Sequence, residues 1–110
     1  MNRIPMSKAG AGLLRTLLSR ALVEPDRILL TEYRSSDWQS LTFVGERHEM
    51  RFRIPRPDAR KTYDAMTGSL SDEEFAIPRQ IVADVAVFGS PTNGPDGSIS
   101  FGLEALTIAD

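Results

Sequence analysis

The sequence predicts an α+β fold: a two-layer sandwich with two helices on one face of a mainly antiparallel four-stranded sheet. Three observations predict it. Apolar residues recur at helical spacing in two segments, four other stretches have the composition of strands, and these elements follow in the order αββαββ. The 110 residues are the length of one domain, 1–110, and a 41% hydrophobic content allows a core.

A leucine-rich stripe predicts the first helix. The stripe comprises Leu13, Leu14, Leu17, Leu18, Ala21 and Leu22. These residues share one helical face. Ser7 is the expected N-cap, and Pro25 predicts that the helix ends near Val23 or Glu24 because proline disfavours helical backbone before it.

A shorter periodic segment predicts the second helix. It starts at Pro57 or Asp58 and ends near Gly68. One face carries Ala59, Thr62, Tyr63 and Met66. The spacing of Ser71 and Glu74 resembles a capping box and predicts one further short helical turn.

The first hairpin is predicted from alternation on both sides of Gly45. Residues 28–33 are expected to form a short strand before it, and residues 38–54 the hairpin itself. With Gly45 and Glu46 in a type II′ turn, Phe43 would face His48 and Trp38 would face Arg53. This register sorts apolar from polar side chains on the two faces.

The second hairpin is predicted over residues 81–108. Its first strand, 81–88, is apolar on both faces except at Asp84, which favours a central place in the sheet. Residues 89–97 are rich in glycine, proline, asparagine and aspartate and predict a loop. In the last strand, 99–108, the apolar parity changes, which predicts a bulge near Glu104.

Composition excludes several classes of protein. The chain has no cysteine and a net charge of −2, so disulfides and thiolate metal sites are absent and nothing global favours nucleic acid. No apolar run approaches the roughly 20 residues of a membrane span. Arg15 and Arg20 interrupt the only apolar stretch of residues 1–23, which is unlike a signal peptide. We therefore expect a cytoplasmic location.

Three stretches carry a family resemblance. They are Phe43-Val44-Gly45-Glu46-Arg47-His48, Val82-Ala83-Asp84-Val85-Ala86-Val87 and Glu104-Ala105-Leu106-Thr107-Ile108. They resemble stretches of small uncharacterised bacterial proteins of about this length. The resemblance implies a bacterial, cytoplasmic origin, and it implies no activity and no catalytic residue.

His48 is the single histidine and hence the one candidate imidazole base. Asp84 and Glu104 each interrupt an apolar strand, and a buried carboxylate must be paired or protonated, so either is a candidate partner for it. The alternative is structural: a partly buried histidine packed on Phe43, and carboxylates bonded to backbone amides or to an arginine such as Arg47.

Trp38 with Arg51 and Arg53 forms an expected aromatic and basic surface. It is a candidate to stack an aromatic ligand or a base beside a phosphate, with Arg47 as an anion contact and Arg56 as a further basic residue. The structural alternative is a cation–π pair across two strands. Acidic residues elsewhere in the chain weigh against nucleic acid.

The leading functional hypothesis is a non-enzymatic interaction or structural module that forms a homodimer through the sheet. The alternative is a small-molecule or anion binder, or a minor enzyme, that uses His48 with Asp84 or Glu104 and Arg47 to hold an anion. The third is weak nucleic-acid binding through Trp38 and the arginines. One histidine and scattered acids predict no metal site, and no motif predicts a cofactor.

Overall fold

The computed structural model describes residues 4–21 and 23–110. Two helices, two short 3-10 turns and four strands follow one another along the chain. They are α1 (Lys8–Ser19), a turn (Pro25–Arg27), β1 (Leu29–Gln39), β2 (Val44–Ile54), α2 (Ala59–Thr67), a turn (Leu70–Asp72), β3 (Gln80–Asn93) and β4 (Ile99–Ala109). No helix among these residues is long and apolar enough to cross a membrane.

The predicted α+β fold and the αββαββ order are confirmed. The four strands form one antiparallel sheet in the order β1-β2-β4-β3, so each hairpin contributes one central strand. The central position predicted for residues 81–88 is wrong, because β3 is an edge strand and only Val85 in it is fully buried. An edge strand can carry apolar residues on both faces when a neighbouring segment covers part of it.

The core lies between the helices and one face of the sheet. Alternate residues of β2 and β4 point into it, and the rings of Phe52 and Phe101 stack at 5.3 Å between centroids. From the helices come Leu13 and Leu17, both at most 1% exposed, and Tyr63, whose ring meets Phe101 edge to face. Each helix therefore contributes one apolar stripe to a single layer of packing.

Both helices begin where the sequence predicts. The Ser7 side chain accepts a hydrogen bond from the Gly10 amide at 3.1 Å and caps α1, and Asp58 stands at the N-cap position of α2. Helix α1 ends at Ser19, earlier than expected, where the Arg20 guanidinium binds the Gly68 carbonyl and the Glu73 carboxylate. Leu22 of the predicted stripe lies outside the described residues.

The turn predicted at Gly45 and Glu46 is wrong. The chain reverses over residues 40–43, where the Ser40 amide donates to the Phe43 carbonyl at 2.9 Å. Gly45 lies inside β2, paired with Trp38 on one side and Ile108 on the other. A Cβ at Gly45 would collide with the backbone carbonyl oxygen of Thr107, so this glycine serves a close approach between strands.

The second hairpin is longer than predicted and its irregularities lie in the other strand. Strand β3 continues to Asn93, which leaves a tight turn at Gly94–Gly97 in place of a nine-residue loop. The bulge predicted near Glu104 is absent, since β4 pairs residue by residue with β2. The pairing of β3 with β4 shifts twice: between Val82 and Asp84, where Ala83 is the extra residue, and between Phe88 and Thr92.

The face of the sheet that points away from the helices, the open face, has no helix over it among the described residues. Strand alternation and register assign its side chains. On β1 and β2 they are Leu29, Glu32, Arg34, Ser36, Trp38, Arg47, Glu49, Arg51 and Arg53. On β4 and β3 they are Ser100, Glu104, Leu106, Ile108, Ile81, Asp84, Ala86, Phe88 and Thr92.

The two glycines of the central strands generate a prediction about stability. A Cβ at Gly45 meets backbone, which cannot move aside, whereas a Cβ at Gly102 would lie 2.8 Å from the rim of the exposed Phe88 ring. We expect Gly45→Ala to lower the free energy of unfolding by about 2 kcal/mol or more and Gly102→Ala by about 1 kcal/mol or less. Urea unfolding of both variants measures this, and equal losses would contradict it.

Candidate functional site

His48 lies in the middle of β2 on the face that packs against α1. The alternation of β2 places it in line with Met50 and Phe52, and its side chain is 1% exposed. Its partners across the sheet are Ser35 on β1 and Ala105 on β4. The predicted contact with Phe43 is therefore wrong, because Phe43 lies in the exposed turn and is 52% exposed.

Both ring nitrogens of His48 meet hydroxyl groups. The Tyr33 hydroxyl lies 2.9 Å from Nδ1, and the Thr107 Oγ1 atom lies 2.8 Å from Nε2. The Tyr33 hydroxyl is also 3.3 Å from the Oγ atom of Ser7, the N-cap of α1. These four side chains, from Thr107 through His48 and Tyr33 to Ser7, form a chain of hydrogen bonds termed here the hydroxyl–imidazole chain.

A glycine is required where the hydroxyl–imidazole chain meets α1. A Cβ at Gly10 would overlap the hydroxyl of Tyr33, so the absence of a side chain lets the tyrosine reach the first turn of the helix. The Gly10 amide in turn donates to Ser7 at 3.1 Å. The local sequence of the helix start is thus fitted to a residue on β1.

The surroundings keep the imidazole neutral. Burial lowers the pKa of His48 from its ordinary value of 6.5, since removal from water penalises the imidazolium, and the nearby Glu46 carboxylate opposes this in part. A neutral ring has one donor and one acceptor nitrogen, and a hydroxyl can take either role. Both nitrogens are thereby satisfied inside the protein.

Little space is left beside the ring. The adjoining cavity has a volume of about 10 Å³ and is lined mainly by apolar side chains such as Leu13, Leu17 and Met50. One water molecule needs roughly 10–15 Å³ of such space, so the cavity holds one water at most. A substrate reaching His48 would require α1 to move away from the sheet.

The two carboxylates predicted to be buried are exposed. Asp84 and Glu104 lie on the open face, on the opposite side of the sheet from His48. Glu104 is adjacent to Ala105, the partner of His48, and alternation turns its side chain away. The structure therefore does not bring either acid into hydrogen bonding with the imidazole, whose partners are the two hydroxyls.

The predicted aromatic and basic surface is spread along the sheet. Trp38 is half-buried and faces Gly45, and the expected pair with Arg53 is wrong. Gly45 and Arg53 are eight residues apart on β2, about 27 Å at roughly 3.4 Å per residue. Arg53 instead pairs with the Asp96 carboxylate, and the Arg51 guanidinium lies 5.3 Å from the centre of the Phe88 ring.

The remaining candidates are exposed on the surface. Arg47 lies on the open face between Ser36 and Leu106, and Arg56 is exposed just before α2. Among the residues described, no group of three or more histidine or acidic side chains is arranged to hold a metal ion. Sequence reasoning missed Tyr33 and Thr107 as partners of His48 and Ser7 as a partner of Tyr33, and the one local signal was the N-cap position of Ser7.

Comparison with known proteins identified no relative. A scan against protein-family models, a search of curated proteins and a search of solved structures each returned no significant match.

The hydroxyl–imidazole chain predicts a difference between two identical substitutions. Tyr33→Phe leaves a nitrogen of His48 without a partner, so we expect a loss of about 1–3 kcal/mol in the free energy of unfolding. Tyr63→Phe is the matched control, because Tyr63 is a buried core ring outside this chain. Urea unfolding compares them, and a Tyr63→Phe loss as large as that of Tyr33→Phe would contradict the assignment.

The lowered pKa of His48 predicts a dependence of stability on pH. The unfolded chain takes up a proton near pH 6.5 while the folded chain does not, so the free energy of unfolding falls as pH drops below 6.5. The loss stops once pH is below the folded-state pKa. Imidazole NMR should titrate below pH 6.5, and His48→Gln should remove this part of the dependence. A titration above pH 6.5 would contradict it.

Proposed function

We propose that the protein is a non-enzymatic interaction module that forms a homodimer by packing the open faces of two copies together. The observation that carries this proposal is the composition of the open face: large apolar side chains stand on it with no helix over them among the described residues. A four-stranded sheet with an exposed apolar face is a common site of association.

The apolar side chains are arranged as a row at one end of the open face. Trp38, Gly45, Ile108 and Ile81 are successive partners across all four strands. Ile81 is 50% exposed, and Trp38 and Ile108 are half-buried. Leu106 adjoins this row one step further along β4. Contact with a second copy would remove these side chains from water.

The charges of the open face divide into two halves of opposite sign. The half formed by β1 and β2 carries four arginines and two glutamates, namely Arg34, Arg47, Arg51, Arg53, Glu32 and Glu49. The half formed by β3 and β4 carries Asp84 and Glu104 and no basic residue. The first half is therefore net positive and the second net negative.

A two-fold axis parallel to the strands, lying between two stacked sheets, matches both patterns. It places the β1–β2 half of one copy over the β3–β4 half of the other, so positive faces negative. It also brings the apolar row of one copy onto that of its partner, with Trp38 over Ile81. Four strands of eleven residues cover about 700 Å², close to the roughly 800 Å² per partner of a standard interface.

The surroundings of His48 support a non-enzymatic role. Its ring nitrogens are hydrogen-bonded to Tyr33 and Thr107. The two candidate acids, Asp84 and Glu104, lie on the opposite face of the sheet. A base needs access to the proton that it removes. The proposal also includes a bacterial, cytoplasmic setting, which rests on the sequence resemblance alone.

Light scattering tests the dimer. At tens of micromolar protein, we expect the mass of two chains for the wild type and of one chain for Trp38→Arg, which places a buried charge in the apolar row. Ser19→Arg is the control, since Ser19 is exposed at the end of α1, which packs against the opposite face of the sheet. A monomeric wild type at these concentrations would refute the proposed homodimer.

A charge-exchange experiment tests the two halves. Arg47→Glu and Asp84→Arg should each weaken self-association, because the axis brings Arg47 to within one strand of the partner's Asp84 in the same row of the sheet, and each change sets like charges against one another. An equimolar mixture should restore dimers, since both altered residues then meet each other at one contact and the other contact is native. Failure of the mixture to associate, with both variants folded, would refute this face-to-face arrangement.

A further inference from the structure

A second surface, which shares Ile81 with the apolar row, lies along the outer edge of β3. The chain between the second 3-10 turn and β3 runs beside this strand and leaves an open groove of about 590 Å³. Residues 71–76 form one wall and residues 80–85 the other. The volume lies within the roughly 300–1,000 Å³ of pockets that hold small ligands.

The groove has an apolar floor and free backbone along one wall. Phe75 and Val82 are half-buried in it and Val85 is 8% exposed. Among residues 4–21 and 23–110, β3 pairs in the sheet with β4 alone, so alternate amides and carbonyls of β3 point outward. Ala83, the extra residue of the bulge, has no partner on β4 and is exposed in the groove.

The charge of the groove is of one sign. Among its lining residues Glu73, Glu74 and Asp84 are acidic, and none is basic. Glu73 is neutralised by the Arg20 guanidinium at 2.6 Å. Glu74 and Asp84 remain, exposed on opposite walls, with no ion pair to any residue that the structure describes.

We infer that this groove binds a short, extended peptide segment that carries a lysine or arginine side chain. The segment lies along the outer edge of β3, where the backbone offers hydrogen bonds. Its basic side chain reaches between Glu74 and Asp84, and its apolar side chains cover Phe75 and Val82. Peptide binding here does not depend on the proposed homodimer, although the groove shares Ile81 and Asp84 with the open face.

The test uses a pentapeptide, Val-Lys-Val-Lys-Val, acetylated and amidated, with Val-Glu-Val-Glu-Val as the control peptide. We expect NMR shift changes that saturate and that are centred on residues 74–76 and 81–84. Glu74→Lys should weaken binding about tenfold, because it reverses one of the two unpaired charges. Glu24→Lys, an exposed glutamate outside the groove, should change affinity less than about twofold.

Three results would overturn the inference: no saturable binding at millimolar peptide, equal binding of the acidic peptide, or equal effects of the two charge reversals. Shift changes centred on β1 and β2 would overturn it as well. The titration is done on the wild type and on the Trp38→Arg variant. Trp38 lies in β1, the edge strand opposite β3. Loss of the dimer and loss of peptide binding are thereby observed separately.

Discussion

The pairing of β2 with β4 holds the molecule together, because it joins two hairpins that are separate in the sequence. Ten consecutive residue pairs run from Gly45 with Ile108 to Ile54 with Ile99. The side chains on its inner face form the core under both helices, and those on its outer face form the centre of the open face. The His48–Thr107 hydrogen bond joins the same two strands. The packing of the core, the hydrogen bonding of the buried histidine and the pattern of side chains on the open face therefore all depend on the register of β2 with β4.

The elements with local signals could be predicted from the sequence. Helix α2 has its inward face at Ala59, Thr62, Tyr63 and Met66 as expected, since helical periodicity and caps are encoded within a few residues. The prediction of a turn at Gly45 is wrong because the residue that requires a glycine there is distant in the sequence. The Thr107 carbonyl oxygen leaves no room for a Cβ at Gly45. Strand periodicity alone does not say which strand is central. For this reason the sequence predicts a central position for β3, which is an edge strand.

The candidate site shows the same division between local and distant information. The sequence singles out His48 because it is the only histidine, but its partners come from β1 and β4 and no local pattern links them. Asp84 and Glu104 each interrupt an apolar strand, and this pattern predicts carboxylates that are buried at a cost in free energy. On an exposed sheet face a carboxylate stays hydrated and needs no partner. Both acids lie on such a face, so neither carries a cost of burial.

The hydroxyl–imidazole chain ties the start of α1 to the last strand of the protein. Ser7 caps the helix while it lies beside Tyr33, and that tyrosine is held through His48 by Thr107, one hundred residues further along the chain. Contacts between such distant residues form late, because the intervening chain must first be ordered. The cap of α1 is itself local, from the Gly10 amide to Ser7, but the side chains that tie this cap to the sheet are all in place only once β4 has paired with β2.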